Sequence, residues 1–440
     1  MKSNTPANVH ATISLPTTQK IPSTFRIVNV AFDVGSESLN WAMELRDRTL
    51  QGQCANSSVE ITQTLKHILK QARQDGDVEI RVICESTGIY HRRLVQLADT
   101  LGMRTALVHG EAVAKLRSVQ FGDPGKTDER DPKAALSVAK IGKLIKTRKF
   151  DKQYAQLREL HRLVRRCEAR IKIAKCELHA DMRSLFADLR LDKSVMYGPT
   201  GRALIDQFDG NPHRIVAAGE EAFFHQMKAC SKNTKTATLK KIFQAAQQSV
   251  DGNQHESAVA TADIQSSAVQ RLYAEITDNT KHQKQLEQQM QAIYVELQKS
   301  DPKLPSARKG VVTLRMLSRL VAEIGPPDDF HSASQLMRYA GVNLCQRQSG
   351  KWKGRTMISR RGRAELRYVL NLMSIPLVGR KKLFGAYYWR KKETERMPGQ
   401  KANMCVMRKI LKMFYGWYKS GEGFDESRVF KSQSEHAQAA

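Results

Sequence analysis

Two long runs of residues, spaced alternately three and four apart and mostly apolar, constrain this chain more than any other feature. The first run consists of Leu157, Leu160, Val164, Cys167, Ile171, Ala174 and Leu178, and the second of Val269, Leu272, Ile276, Asn279, Gln283, Leu286, Met290, Ile293 and Leu297. This spacing places the side chains along one stripe of a helix, as in the seam of a coiled coil. The polar residues Asn279 and Gln283 weaken the second seam, but such residues also fix its register.

The two runs predict two long helices. These helices pack either on other domains or on each other, and we favour two antiparallel arms of one long coiled-coil stalk at residues 149–300. About 75 residues separate the arms, at about 188–262. That length is typical of a small helical insert and not of a full domain.

The region before the stalk, residues 26–148, has a different pattern. It predicts strands at 27–32, 40–46, 49–55, 78–84 and 105–109, and helices at 57–73 and 91–101, followed by a basic helical region. The first three strands form a meander, which distinguishes this order from a plain doubly wound sheet. The order indicates a ribonuclease H-like (RuvC-like) α/β domain, so the predicted fold class is α/β plus all-α.

The region after the stalk, residues 301–425, is predicted to be a small helical domain. Helices are expected at 310–324, 332–340 and 359–378, with a glycine-punctuated basic loop at 347–355. Between 383 and 418, aromatic residues alternate with Lys and Arg. Residues 1–25 and 426–440 are expected to be flexible tails.

The charge balance indicates a polyanionic partner. The chain has 72 Lys and Arg against 44 Asp and Glu, a net charge of +28, and such an excess favours binding to nucleic acid phosphates. DNA and RNA are not distinguished, and the alternatives are a merely soluble basic protein, a ribosomal role or a membrane-surface role. Seven scattered cysteines without a CxxC pair argue against disulfides and zinc and suit a reducing cytoplasm. No segment resembles a membrane span or a secretory signal.

Four carboxylates are candidates for a divalent metal site: Asp33, Glu85, Asp128 and Asp131. The first two follow predicted strands, and the last two are three residues apart near the start of a helix. Hard cations such as Mg²⁺ or Mn²⁺ prefer oxygen ligands, and a pair of them assists phosphoryl transfer. Lys126 and Arg130 are positioned to contact a DNA phosphate.

Each carboxylate also has a structural interpretation. Asp33 could cap a turn, Glu85 could be simply exposed, and Asp131 before Pro132 has the pattern of a helix N-cap followed by proline. For any one residue alone the structural reading is favoured. Four acids at these particular element ends favour the metal site.

Ser349 lies in a strongly basic segment, since residues 347–367 contain eight Lys and Arg and one Glu. A serine becomes a good nucleophile only when a base or a positive field favours its alkoxide. On this pattern alone, a serine in a basic loop is more often a hydrogen-bond donor to phosphate. The predicted nucleic-acid-binding residues here are Arg347, Lys351, Lys353, Arg355, Arg360, Arg361 and Arg363.

Several blocks of sequence resemble the DEDD-type insertion-sequence transposases, insertion-sequence family one hundred and ten. Residues 30–35 are similar to the first-strand motif with Asp33 as its acid, and residues 84–88 are similar to the second motif with Glu85. Residues 126–131 are similar to the Lys-Thr-Asp-x-x-Asp block. Relatives include the pilin-gene invertase and bridge-RNA-guided recombinases.

The C-terminal likeness covers about residues 311–425. Residues 320–325, 339–341, 348–351 and 358–362 follow the order of the family's transposase domain. Within that order, Ser349 matches the family's nucleophilic serine, and Ser359 is the nearby serine to exclude. Pro132 departs from the family pattern, which more often has a small helix-forming residue at this position. Proline disfavours helical geometry at the preceding residue, Asp131.

The resemblance implies a bacterial DNA transposase or site-specific recombinase. Ser349 would attack a phosphodiester to form a 5′-phosphoserine, assisted by Mg²⁺ or Mn²⁺ held by the four acids. The expected partners are DNA, a noncoding bridge RNA and further copies of the chain, in a dimer or tetramer, with no membrane. Composite sites could join the serine domain of one protomer to the acids of another. The expected location is the bacterial cytoplasm, in association with the nucleoid.

Two other functions compete with this one. A RuvC-like junction nuclease would use the acids and water, without a covalent serine intermediate. A non-enzymatic coiled-coil protein would bind nucleic acid with a vestigial acidic cluster. The junction nuclease would remain active after substitution of Ser349, whereas a recombinase would not. The non-enzymatic protein would be unchanged by substitution of Asp33 and Glu85.

Overall fold

A computed structural model describes residues 26–74, 76–85, 88–121, 130–252, 256–346, 348–349, 352–354 and 356–430. The chain forms two compact units that divide between Lys149 and Phe150. No helix in the described ranges is long and apolar enough to cross a membrane.

The N-terminal unit is a mixed α/β structure, as predicted. Its elements are β1 (Arg26–Val34), β2 (Ser38–Glu44), β3 (Thr49–Ala55), α1 (Ser58–Arg73), β4 (Val78–Glu85), α2 (His91–Thr100), β5 (Arg104–Val108), α3 (Gly110–Phe121), α4 (Arg130–Lys140) and β6 (Ile145–Lys146). The sheet order is β3-β2-β1-β4-β5-β6. The first three strands form the predicted antiparallel meander, and β1, β4 and β5 run parallel.

Helices cover both faces of this sheet. Val30 and Phe32 of β1 pack in one core with residues of α1 and α2, whereas Ala31 and Ile83 pack in another with residues of α3 and α4. This division follows from the alternation of side chains along a strand. Odd-numbered positions on β1 and β4 therefore face α3 and α4.

The second unit consists mainly of helices. Its elements are α5 (Lys152–Leu185), α6 (Lys193–Met196), α7 (Pro199–Phe208), α8 (Pro212–Ala218), α9 (Glu220–Cys230), α10 (Thr236–Asp251), α11 (Glu256–Ser300), α12 (Leu314–Ile324), α13 (Ala333–Ala340), β7 (Leu344–Cys345), β8 (Gln348–Ser349), β9 (Trp352–Lys353), β10 (Met357–Ile358), α14 (Ala364–Ser374), α15 (Gly385–Trp389) and α16 (Gly399–Ser420). A π-helical turn, Arg390–Thr394, follows α15. α11 begins six residues before the expected end of the insert.

The two longest helices, α5 and α11, pack against each other in opposite directions. The first half of α5 shares a core with the second half of α11 and with α12, α14 and α16. The second half of α5 shares another core with the first half of α11 and with the short helices α7, α9 and α10. Each of these two helices thus belongs to two different cores.

The buried stripe of α11 differs in detail from the predicted seam. Tyr273 and Tyr294 are buried, while the predicted Leu272 and Ile293 are only partly buried. The stripe is shifted and widened because α11 packs on short helices as well as on α5. A regular two-helix coiled coil therefore remains a prediction.

The region assigned to a C-terminal tail contributes to the core before the described residues end. Val429 is buried, and the Phe430 ring lies 5.5 Å from that of Phe384 and 6.1 Å from that of Tyr387. The folded part of this unit therefore extends to residue 430. α14 is also shorter than the helix predicted at 359–378, because a turn that follows β10 occupies the first five of those residues and a 3-10 turn, Ile375–Leu377, follows the end of α14.

Candidate active site

Asp33 and Glu85 lie side by side at the ends of two neighbouring parallel strands. In the register of β1 and β4, Phe32 is opposite Cys84, so that Asp33 and Glu85 are the next residues along each strand. Both are half-buried. Both occupy odd-numbered positions and so belong to the face covered by α3 and α4.

The Glu85 carboxylate contacts the first residue of α3. A Cβ built on Gly110 would lie 2.6 Å from the Glu85 carboxyl carbon and 3.1 Å from Oε2. The first turn of a helix has backbone N–H groups without helical partners and a partial positive charge, and both favour a carboxylate. Gly110 thus allows Glu85 to approach the start of α3.

Asp131 lies within the first turn of α4 and is not its N-cap, which was the structural alternative suggested by the following Pro132. The helix begins at Arg130, and proline is tolerated because the N–H groups of a first turn have no helical partner. Asp131 is 7% exposed, and its Oδ1 lies 2.5 Å from Nη1 of Arg117 on α3. This buried ion pair joins the two helices that cover the Asp33 face.

The structure relates three of the four predicted acids to one face of the sheet. Asp128 and Lys126 lie outside the described residues. Within the described ranges, no group of three His, Cys, Asp or Glu side chains is arranged to hold a metal ion. The register brings Asp33 and Glu85 together, while Asp131 is paired with Arg117.

Ser349 lies on a β-hairpin where the sequence predicted a loop. Ser349 on β8 is exposed and stands opposite Trp352 on β9. Nearer the base of the hairpin, Cys345 on β7 stands opposite Met357 on β10. The hairpin presents Ser349 to solvent.

A turn after the hairpin packs on the end of α13. Ser359 donates its Oγ to Asn343 Oδ1 at 2.6 Å, and its backbone N–H donates to the Asn343 carbonyl at 2.9 Å. Arg360 has a φ of 54°, the left-handed region that a residue with a side chain seldom adopts. Ser359 is thus engaged in fixing the turn, unlike Ser349.

The same turn is anchored to a buried carboxylate on α12. Glu323 accepts a hydrogen bond from Arg363 Nε, and its Oε1 lies 2.7 Å from Nδ1 of the fully buried His161 on α5. Burial alone would raise the pKa of Glu323, but the hydrogen bond with His161 and the charge of Arg363 lower it to about 2. Arg363, predicted to contact nucleic acid, therefore also holds the turn after the hairpin.

The other predicted nucleic-acid-binding residues vary in exposure. Arg360 and Arg361 are exposed, and Arg130 is half-buried. Lys353 is in β9, but its side chain is outside the described part. The remaining three of the basic loop, Arg347, Lys351 and Arg355, are outside it altogether.

Sequence reasoning missed four residues that shape these sites. Gly110 and Arg117 have no signal in the sequence, because their importance arises only when α3 packs beside Glu85 and Asp131. Two others had a signal. Glu323 is an acid within the apolar helix at 314–324, and His161 lies on the apolar stripe of α5.

Comparison with known families gives two matches along the chain. A DEDD transposase model of the IS110 type matches residues 30–187, which contain Asp33, Glu85 and Asp131, and the model for the transposase IS116/IS110/IS902 family matches residues 311–389, which contain Ser349. No curated protein matches the chain. The protein is thus a DNA transposase of the DEDD class. More narrowly, it belongs to the IS110 family of insertion-sequence transposases.

Proposed function

We propose that this transposase cuts and rejoins DNA through a covalent intermediate on Ser349, assisted by Mg²⁺ or Mn²⁺ at Asp33, Glu85, Asp128 and Asp131. The observation that carries the proposal is the register of β1 and β4. It places Asp33 and Glu85 side by side on the face covered by the helix of Asp131. The meander followed by parallel strands also supports a ribonuclease H-like fold for this unit.

The donor chemistry of the acidic site fits a hard divalent cation. Carboxylate oxygens are the ligands that Mg²⁺ and Mn²⁺ prefer. Glu85 lies at the start of α3, and Asp131 already pairs with the positive charge of Arg117. A metal cation could take the place of Arg117 beside Asp131. When bound, the metal would polarise the scissile phosphate and stabilise the leaving oxygen.

The serine step is a direct displacement at phosphorus. The Ser349 oxygen forms a bond to the phosphorus while the bond from phosphorus to the 3′-oxygen breaks, which leaves a 5′-phosphoserine and a 3′-hydroxyl. The serine proton goes to solvent or a nearby base, and the 3′-oxygen takes up a proton. The exposed Arg360 and Arg361 lie on the turn after the hairpin and can bind the neighbouring phosphates. Attack by the 3′-hydroxyl of another strand reverses the step and joins the DNA.

Family membership also supports the proposed partners. These are the DNA ends of the mobile element with its target, a bridge RNA that selects them, and further copies of the chain. A dimer or tetramer would allow the serine of one copy to act with the acids of another. The proposed location is the bacterial cytoplasm, at the nucleoid. Sequencing the nucleic acid that co-purifies with the protein from its host tests the guide directly.

Trapping of the protein–DNA adduct tests the mechanism. Nicked element-end DNA is incubated with the protein and Mg²⁺, and adducts are resolved on a denaturing gel. Ser349→Ala should abolish the adduct, whereas Ser359→Ala, the matched control, should retain it. Asp33→Asn and Glu85→Gln should reduce cleavage, while Glu79→Gln on β4, which removes an exposed ion pair with Arg104, should not.

Three outcomes would contradict the proposal. Adducts that persist in Ser349→Ala would remove the serine from its role. Cleavage without any adduct in that variant would instead indicate a nuclease that uses water. Unchanged cleavage in Asp33→Asn and Glu85→Gln would show that the acidic site is vestigial.

A further inference from the structure

Positive charge is concentrated on one surface of the second unit, away from the basic segment around Ser349 in the sequence. We call it the C-terminal cationic face and define it as residues 380–396 and 408–412. These residues include ten Lys and Arg against two carboxylates, Glu393 and Glu395. Seven of the ten cations are exposed. The family match ends at residue 389, so most of this face lies beyond it.

Aromatic rings hold several of these cations in position. The Trp389 ring lies 4.3 Å from the guanidinium carbon of Arg380 and 4.6 Å from Nζ of Lys392. Trp389 is itself fixed, because its Nε1 donates to the carbonyl of Val378 at 3.0 Å. A cation–π contact orients a side chain without cancelling its charge. The cations therefore remain able to bind an anion.

The two segments of the face meet around the ring of Tyr387. The ring lies 5.6 Å from the guanidinium carbon of Arg390 and 6.1 Å from the Phe430 ring, which in turn lies 5.3 Å from Nζ of Lys409. Burial, and then the charges of Lys412 and Arg390, lower the pKa of Lys409. Like charges are therefore crowded at this point.

The carboxylates of the face do not neutralise this crowding. Glu393 pairs with Arg380 at 2.7 Å. Glu395 pairs with Lys391 at 2.7 Å and, at the longer distance of 3.8 Å, with Arg390. In the described part of the chain, no carboxylate lies within 4 Å of Nζ of Lys409 or Lys412. A surface that keeps like charges together loses stability unless an anion binds there.

The backbone at this face is also unusual. Residues 390–394 form a π-helical turn, and Arg396 has a φ of 50°. π-Helical turns are rare and occur often at functional sites. Here the turn carries Arg390, Lys391 and Lys392 on three successive residues.

We propose that the C-terminal cationic face binds the phosphodiester backbone of a nucleic acid, in addition to the DNA contacts of the Ser349 hairpin. A chain of regularly spaced phosphates can satisfy several fixed cations at once, which a single small anion cannot do. Contacts to the backbone add affinity and set orientation without reading sequence. The inference deepens the proposed function and rests on it only in taking nucleic acid as the ligand.

Salt dependence of binding tests this inference. The full chain is titrated, in EDTA to prevent cleavage, into labelled duplex DNA, single-stranded DNA or RNA, and anisotropy is measured over a range of salt. The site variant is Arg390→Gln with Lys409→Gln and Lys412→Gln. The matched control removes the same charge from the exposed residues of the insert: Lys232→Gln with Lys235→Gln and Lys240→Gln.

If each of the three cations contacts one phosphate, the plot of log K against log salt should be less steep in the site variant than in the wild type. The magnitude of the slope should fall by about 2.7 for duplex DNA or about 2 for a single strand. The control should change little. A smaller slope with DNA alone, with RNA alone or with both supports the proposal and identifies the nucleic acid that binds. Equal changes in the two variants, or none, overturn it, and neither result bears on adduct formation by Ser349.

Thermal melting separates binding from a structural role. Because the substitutions relieve repulsion, the site variant should melt at the same temperature as the wild type or higher. If it fails to fold, Lys412→Gln alone supplies the test, since Lys412 is exposed, and its slope should fall by about 0.9 on duplex DNA. An unchanged slope in that variant would also contradict the proposal.

Discussion

Gly110→Ala should damage the acidic site without harming the fold. The Cβ that alanine adds would lie 2.6 Å from the carboxyl carbon of Glu85. Carbon atoms in contact are normally about 3.5 Å apart or more, so the carboxyl group must move by about 1 Å. The Gly110 backbone does not have the positive φ that would exclude alanine. The substitution therefore acts mainly on Glu85.

The expected magnitude follows from this displacement. A misplacement of about 1 Å at a catalytic group can cost about 100-fold in rate, or roughly 2.7 kcal/mol of transition-state stabilisation. Alanine is also the better helix former by up to about 1 kcal/mol. The free energy of unfolding should therefore be unchanged or slightly raised, while Mg²⁺ affinity and cleavage fall.

Calorimetric titration with Mn²⁺, urea unfolding and cleavage of element-end DNA measure these three quantities. Gly416→Ala is the control, because Gly416 is exposed within α16 and a Cβ there meets nothing within 4 Å. It should raise stability by about 0.5–1 kcal/mol and leave cleavage unchanged. Wild-type metal affinity and cleavage in Gly110→Ala would refute the placement of Glu85 or its role.

Two further predictions concern buried charges in the second unit. The pKa of Glu323 is about 2 in the folded protein instead of 4.5. As the pH falls, the unfolded state therefore takes up this proton before the folded state does. About 3 kcal/mol of folding stability, present above pH 4.5, is lost as the pH falls towards 2. Glu323→Gln should lack this contribution, so its stability deficit in urea unfolding should be smaller at pH 3.5 than at pH 5.5; an equal deficit would contradict the assignment. Arg319, 1% exposed, lies 2.8 Å from the half-buried Glu168 and 3.4 Å from the buried Glu287. Arg165 and Arg315 also pair with these carboxylates, so Arg319→Met should cost about 1–3 kcal/mol in the same assay, because each carboxylate loses one of its two cations. A cost below about 1 kcal/mol, typical of a surface ion pair, would show that solvent already stabilises them.

Elements with a strong local pattern could be predicted from the sequence. The short, mostly apolar runs of β1 and β4 predicted both strands. Because the two parallel strands end on one edge of the sheet, they also predicted that Asp33 and Glu85 lie near each other. The helix predicted to start at Ser57 also forms, and Ser57 caps it, since its side chain accepts a hydrogen bond from the backbone N–H of Glu60 at 3.2 Å. In these cases the periodicity or the cap is contained in a few consecutive residues.

Features that depend on distant parts of the chain could not be predicted. The strands around Ser349 are two residues each, too short for alternation to distinguish them from a loop. The pairing of Arg117 with Asp131 requires α3 and α4 to pack together. Likewise, the stripe on α11 includes Tyr273 and Tyr294 because of helices that no local pattern in α11 specifies.

The sharing of α11 between two cores restricts how this protein can vary in length. One continuous helix of 45 residues packs against the insert with its first half and against the C-terminal helices with its second. One residue added between Ile276 and Leu286 would rotate one half about 100° relative to the other, so that a buried stripe would turn to solvent. Insertions there can be tolerated only when they restore the angular phase and when α5 lengthens to match.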